Sequence, residues 1–143
     1  TAVLTLLGWA FDYGALTAAG DYSAANNQFR VVRQSGNTAF TRGSSAAGTT
    51  VLGVLQDTPS SGEHGTIRMY GISKARVLST ALTALTVQAK LAGSTNGGII
   101  RSTAVGRYTL GRSMQSLTSA STAVITMLIT HEGAGSSGAG VTP

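Results

Sequence analysis

Two histidine-glutamate neighbours have the residue types that bind metals. Glu63 precedes His64, and His131 precedes Glu132. A metal centre needs several converging ligands, and neither pair has a third ligand at a recognisable spacing. We therefore predict no metal site and interpret His64 and His131 as exposed loop residues. A site shared between the subunits of a trimer is the alternative.

Residues for acid-base or nucleophilic catalysis are present without a recognisable pattern. Asp57 and Glu63 flank one loop and have the residue types of a glycosidase pair, but we interpret them as solvated loop charges. Serine is abundant, yet no Gly-x-Ser-x-Gly turn occurs, and the absence of cysteine excludes thiolate chemistry and disulfide bonds. We predict that the protein is not an enzyme and has no catalytic residue. A hydrolase with an unrecognised site is the alternative.

Two glycine-rich segments resemble nucleotide-binding loops only in part. The segment 43–50 has the glycine spacing of a phosphate-binding loop, but Thr49 stands where the lysine that grips the phosphate is required. The segment 133–138 matches a dinucleotide fingerprint, but five residues follow it, too few for the helix that would hold the pyrophosphate. We interpret both as loops and predict no cofactor.

The charge density of the chain is unusually low. Only 10% of its 143 residues are charged, whereas about 25% is typical of soluble domains. Such a surface suits burial against other subunits, because the cores of protein interfaces are depleted in lysine, glutamate and aspartate. The alternative is an ordinary β-domain with a hydroxyl-rich surface.

The net charge of +5 leaves the partner open, because the basic residues are scattered singly. No tract resembles a basic arm or patch, which argues against nucleic-acid binding, and a negatively charged protein surface would complement the excess positive charge equally well. The most apolar stretch, 1–11, is about half of the ~20 residues that span a bilayer. We expect no membrane span and no signal peptide.

Short apolar or alternating runs separated by turn residues predict an all-β fold, a small barrel or sandwich. Segments 28–34 and 38–41 are expected to form a hairpin, and so are 88–92 and 99–103 around Asn96-Gly97-Gly98. Segments 65–70 and 72–78 are expected to be one strand bent at Gly71. The most apolar strand, 122–130, should be central.

The ends of the chain are expected to differ from this β-domain. We predict an extended N-terminal arm and loop over 1–27, the β-domain over 28–131, and a flexible tail rich in Gly and Ser over 132–143. Trp9, Phe11 and Tyr13 recur at the period of a strand. They are either core residues or contacts with a neighbouring subunit.

The stretch from Val51 to Ile129 resembles the small capsid cement, or head decoration, proteins of bacteriophages. The resemblance lies in the order of its elements: Val51-Leu52-Gly53-Val54-Leu55, Gly71-Ile72 with Ala75-Arg76-Val77, Leu91 leading to Asn96-Gly97-Gly98, Gly106-Arg107-Tyr108-Thr109-Leu110-Gly111, and Val124 to Ile129.

This resemblance implies a virion protein without an active site. Such a protein would be made in the host bacterial cytoplasm and would bind the outer surface of an assembled head, with the major capsid protein as partner. It implies a homotrimer that stabilises the shell, with Trp9, Phe11 and Tyr13 as the candidate contacts with the capsid or a neighbouring subunit. The alternative is a carbohydrate- or nucleic-acid-binding β-module on a phage or cell surface.

Overall fold

The computed structural model describes residues 10–43, 50–77, 85–102, 106–117 and 123–134. In these residues ten strands form one sheet. The strands are β1 Ala10–Tyr13, β2 Thr17–Ala18, β3 Val31–Gln34, β4 Ala39–Arg42, β5 Gly53–Leu55, β6 Ile67–Val77, β7 Lys90–Gly93, β8 Ile99–Arg101, β9 Tyr108–Ser113 and β10 Ala123–Ala134. The all-β prediction is confirmed.

The sheet is open and mostly antiparallel. Its strand order is β2-β4-β3-β5-β6-β10-β9-β7-β8, β1 pairs with β6 outside this path, and β2 pairs with β4 in parallel. The end strands β2 and β8 do not pair with each other, so the described strands do not close into a barrel. None of the helices in the described ranges is long and apolar enough to cross a membrane.

Two apolar clusters hold the sheet together. The larger one joins Val31 and Val54, from β3 and β5, to Leu91, Ile99 and Leu110, from β7, β8 and β9. Because strands far apart in the sheet share this cluster, the sheet must fold over it. Burying each such aliphatic side chain contributes about 1.5–3 kcal/mol. The smaller cluster has the fully buried Phe40 among its members, which are Leu16, Ala18, Tyr22, Val32, Phe40, Leu55 and Ile67.

The sequence patterns located the main strands. Strands β3 and β4 pair as a hairpin, and so do β7 and β8, with Asn96 and Gly97 at φ 57° and 76° in the turn. Strand β10 lies between β6 and β9 and buries Ile125, Met127 and Ile129, as expected of a central strand. It continues to Ala134, three residues past the expected domain boundary. Residues 135–143 lie outside the described ranges.

The long strand β6 has different neighbours along its length. Strand β10 pairs with Gly71 to Val77, and β1 pairs with Ile67 to Gly71. The N-terminal strand therefore occupies the part of β6 that β10 leaves. Gly71 lies at this change of neighbour with φ 102°, a backbone conformation that favours glycine. Gly71, where the sequence predicted a bend, is thus the residue at which pairing with β1 ends and pairing with β10 begins.

Candidate binding surface

Phe11 and Tyr13 lie on the surface of the protein. Their exposed fractions are 53% and 38%, so neither is a core residue. Trp9, the third member of the predicted aromatic set, lies outside the described residues. The strand predicted from the period of these aromatics is present as β1, and it leaves two aromatic rings available to a partner.

A shallow apolar groove of 350 Å³ runs beside these two rings. Leu16, Leu52 and Met69 line it together with Phe11 and Tyr13, and the amides of Gln34 and Asn37 complete the lining. Leu16 belongs to the smaller core cluster, and Leu52 and Met69 pack against that cluster. The groove is therefore an opening onto the core, and its lining carries no charged side chain.

An ion pair fixes the strand that carries the two aromatics. Asp12 accepts two hydrogen bonds from Arg68 of β6, at 2.8 Å from Nε and 3.1 Å from Nη2. A third nitrogen, Nη1, donates to the carbonyl of Ile72. The bonds to Asp12 raise the pKa of Arg68 above its usual value. The bidentate pair holds β1 in register beside the groove.

A cluster of His131 with Tyr70 and Tyr108 lies near the same groove. It is found where the pairing of β10 with β9 shifts between Ile129 and Gly133. His131 has φ 53° in this irregular stretch. Its Nδ1 lies 2.6 Å from the hydroxyl of Tyr108, and its ring centroid lies 4.9 Å from that of Tyr70. Burial lowers the pKa of His131, and the carbonyls of Met69 and Leu52 offset part of that effect.

The interpretation of His131 as an exposed loop residue was wrong. The residue lies within β10 and is partly buried, because the irregular stretch turns its ring towards Tyr70 and Tyr108. Its Nε2 is buried without a hydrogen bond of ordinary geometry. His64, in contrast, is exposed, as expected.

The other residues considered for chemistry serve their own loops. Asp57 accepts hydrogen bonds from the backbone N–H of Thr66, and Glu63 accepts one from the backbone N–H of Ser60. Among the described residues, no three His, Cys, Asp or Glu side chains come together in a way that could hold a metal. The two carboxylates therefore contribute to loop structure.

Sequence reasoning did not find the amide and aliphatic residues of the groove. Gln34, Leu52 and Met69 come from three separate segments and carry no motif. Only the folding of the sheet brings them beside β1. The aromatic period was the one signal that pointed to this surface.

Comparison with known proteins supports the fold. No protein-family model and no curated protein sequence matches the chain. The chain is similar to a solved structure of the head fiber gp8.5 N base in bacteriophage phi29, with a TM-score of 0.56 and 13% sequence identity. The alignment covers 86% of this chain and 96% of the other. At this identity, the likeness shows a shared fold.

Proposed function

We propose that this protein is a structural component of a bacteriophage virion, attached to the outer surface of the assembled head. The fold likeness to the head fiber base of phi29 is the observation that carries this proposal. The low charge density supports it, since a protein that stays assembled has less need of charge for solubility. Synthesis in the host cytoplasm and the absence of enzymatic activity belong to the same proposal.

The partner is the major capsid protein. The contact surface is the apolar groove beside Phe11 and Tyr13, which we call the aromatic groove. Exposed aromatic rings beside an apolar hollow are typical of interface anchors, because they bury a large area at a small cost in side-chain entropy. Phe11 and Tyr13 fulfil this description, and the ion pair of Asp12 with Arg68 orders them before binding. Ordering before association reduces the entropy lost on binding.

The protein acts as a homotrimer that stabilises the head. A trimer presents three copies of the groove to neighbouring capsid subunits, so modest contacts act together through their effective concentration. Because the protein binds the assembled shell and not the free capsid subunits, it shifts the equilibrium between free subunits and shell towards the shell. The function is therefore mechanical reinforcement without chemical turnover.

A carbohydrate-binding role is the second candidate. The groove combines two aromatic rings with the side-chain amides of Gln34 and Asn37, and aromatic walls with a few polar groups suit small polar ligands. A glycan array probed with the purified protein tests this candidate. Specific glycan binding that is lost in the Tyr13→Ala variant would favour it over capsid attachment.

Cosedimentation with heads that lack this protein tests the proposed contact. The variant with Phe11→Ala and Tyr13→Ala should bind more than tenfold more weakly than the wild type, because anchors of this kind dominate interface energies. Met114→Ala, which removes another exposed apolar side chain, should bind within twofold of the wild type. Equal binding of the double variant and the control would exclude the groove as the contact surface.

A further inference from the structure

A second surface of the protein has a defined chemistry, on the outward side of β6, β10, β9 and β7. The strand register places Ile72 beside Leu128, Leu128 beside Arg112, and Arg112 beside Lys90. In the neighbouring positions Lys74 lies beside Thr126, and Arg76 beside Val124. The side chains of this outer face form one continuous surface across four strands, opposite the larger core cluster.

The outer face carries most of the excess positive charge. Five of the ten basic residues of the chain lie on or beside it, namely Arg68, Lys74, Arg76, Lys90 and Arg112. Two of the five acids, Asp12 and Glu132, lie with them and pair with Arg68 and Arg112. Three of the five net positive charges are therefore concentrated on this face.

Lys74 and Arg76 remain available to a partner. The two ion pairs within the described residues engage Arg68 and Arg112, so neither Lys74 nor Arg76 has a carboxylate at ion-pair distance. Arg76 donates its Nε proton to the carbonyl of Gln28, which leaves its terminal nitrogens for other acceptors. Lys74 Nζ lies 5.8 Å from the centre of the Phe29 ring, which restrains the ammonium group by a cation-π contact.

Apolar side chains lie among these cations. Ile72 and Val124 are 49% and 38% exposed. A hollow of 310 Å³ lies beside Ile72, and Phe29, Gln56, Arg68, Ser73, Lys74 and Thr126 complete its lining. A partner with aliphatic groups would bury this apolar area, while its anionic groups would meet the ammonium and guanidinium groups at the rim.

We propose that the outer face of β6 and β10 docks an extended acidic segment of another protein, in which carboxylates alternate with aliphatic side chains. Such a segment would place carboxylates against Lys74 and Arg76, and aliphatic groups against Ile72 and Val124. The face already binds carboxylates in this way, because Asp12 and Glu132 each make bidentate contacts with an arginine of the same surface. The inference does not depend on the capsid proposal or on the aromatic groove.

The observations favour a protein over a nucleic acid. The cations lie on three strands, β6, β9 and β7, with aliphatic side chains between them, and phosphates gain nothing from contact with Ile72 or Val124. Nucleic-acid surfaces combine a continuous basic track with aromatic platforms. In the outer face, Phe29 is partly buried beneath Lys74.

Three fluorescent probes of equal charge test the proposal by anisotropy: a peptide of alternating glutamate and leucine, a polyglutamate and a single-stranded oligonucleotide. The alternating peptide should bind most tightly and should weaken as salt is raised. Lys74→Glu should weaken its binding about tenfold, because a like charge would face the partner's carboxylates. Arg101→Glu makes the same charge change on the edge strand β8 and should stay within twofold of the wild type.

The same experiment contains the results that would overturn the proposal. Tightest binding of the oligonucleotide would assign the face to nucleic acid, and equal binding of polyglutamate would remove the role of Ile72 and Val124. Equal losses from Lys74→Glu and Arg101→Glu would exclude the outer face. Ile72→Ala, measured beside Lys74→Glu, should weaken the alternating peptide severalfold and leave polyglutamate unchanged, which separates a binding defect from a folding defect.

Discussion

The hydroxyl oxygen of Tyr108 and Nδ1 of His131 lie 2.6 Å apart, where β10 loses its regular pairing with β9. Burial affects both groups: it raises the pKa of Tyr108 and lowers the pKa of His131. Both shifts favour the uncharged forms. In the irregular stretch of β10 the folded state therefore disfavours charge on both groups, and for His131 this means that the folded state resists protonation.

Stability should therefore fall as the pH is lowered through the range of histidine. The usual pKa of histidine, 6.5, applies to the unfolded state, and the pKa in the folded state is lower. Above about pH 6.5 the ring is neutral in both states and contributes no pH dependence. Below it the unfolded state takes up the proton first, so the free energy of unfolding decreases until the folded pKa is passed.

Denaturation by urea at pH 7.5 and pH 5.5 measures this effect. Each unit by which the folded pKa lies below 6.5 costs about 1.4 kcal/mol at low pH. His131→Asn should remove most of the decrease, because asparagine does not titrate and tolerates the positive φ of this position. His64 is present in both proteins as a common background. An unchanged pH dependence in the variant would contradict the assignment to His131.

The same substitution at two phenylalanines separates core from surface. Phe40 is fully buried and stacks on Tyr22 at 5.9 Å, so Phe40→Ala should lower the free energy of unfolding by about 3–5 kcal/mol. Phe11→Ala should lower it by less than about 1 kcal/mol, because the ring is half exposed. Equal losses in thermal denaturation would mean that Phe11 is part of the core.

Gly53 is required for the close approach of β5 to β6. A Cβ atom at this position would overlap the backbone carbonyl of Arg68, which has no space to move within the sheet. Gly53→Ala should destabilise the protein by about 3 kcal/mol or prevent folding. Gly36→Ala, in the open turn between β3 and β4, should change stability by less than about 0.5 kcal/mol. A stable Gly53→Ala protein would contradict the described packing.

The ion pair of Arg112 and Glu132 should contribute modestly at neutral pH. Hydrogen bonds from Arg112 lower the pKa of Glu132 below 4.5, so its contribution is present above about pH 4.5 and is lost as the pH falls through the folded pKa. A double-mutant cycle with Arg112→Gln and Glu132→Gln should give a coupling of roughly 0.2–1 kcal/mol at pH 7, because both side chains are partly exposed. A coupling that persists unchanged at pH 3 would contradict this.

Local sequence patterns predicted the strands that depend on local signals. The turn at Asn96-Gly97 needs positive φ at both residues, which Asn and Gly tolerate, and the apolar run in 122–130 predicts a central strand, which the structure shows as β10. These choices depend on neighbouring residues. They could therefore be made without knowledge of the tertiary structure.

The features that depend on tertiary structure were missed. His131 looked like a loop residue because the glycine-rich tail begins at Gly133. In the structure, however, Gly133 pairs with Thr109, and β10 continues to Ala134. The groove and the outer face each combine residues from segments far apart in the chain. Their positions depend on strand order and register, which alternation alone does not determine. The barrel alternative failed for the same reason, since closure depends on the pairing of β2 with β8.

Binding of the purified wild-type protein to heads that lack it is the most direct test of attachment to the head. We expect saturable binding, with bound copies in multiples of three at saturation, measured by mass spectrometry of the washed heads. Decorated heads should also resist heat-induced rupture better than bare ones. Binding that rises linearly without saturation, or no binding, would contradict a role as a structural protein of the head.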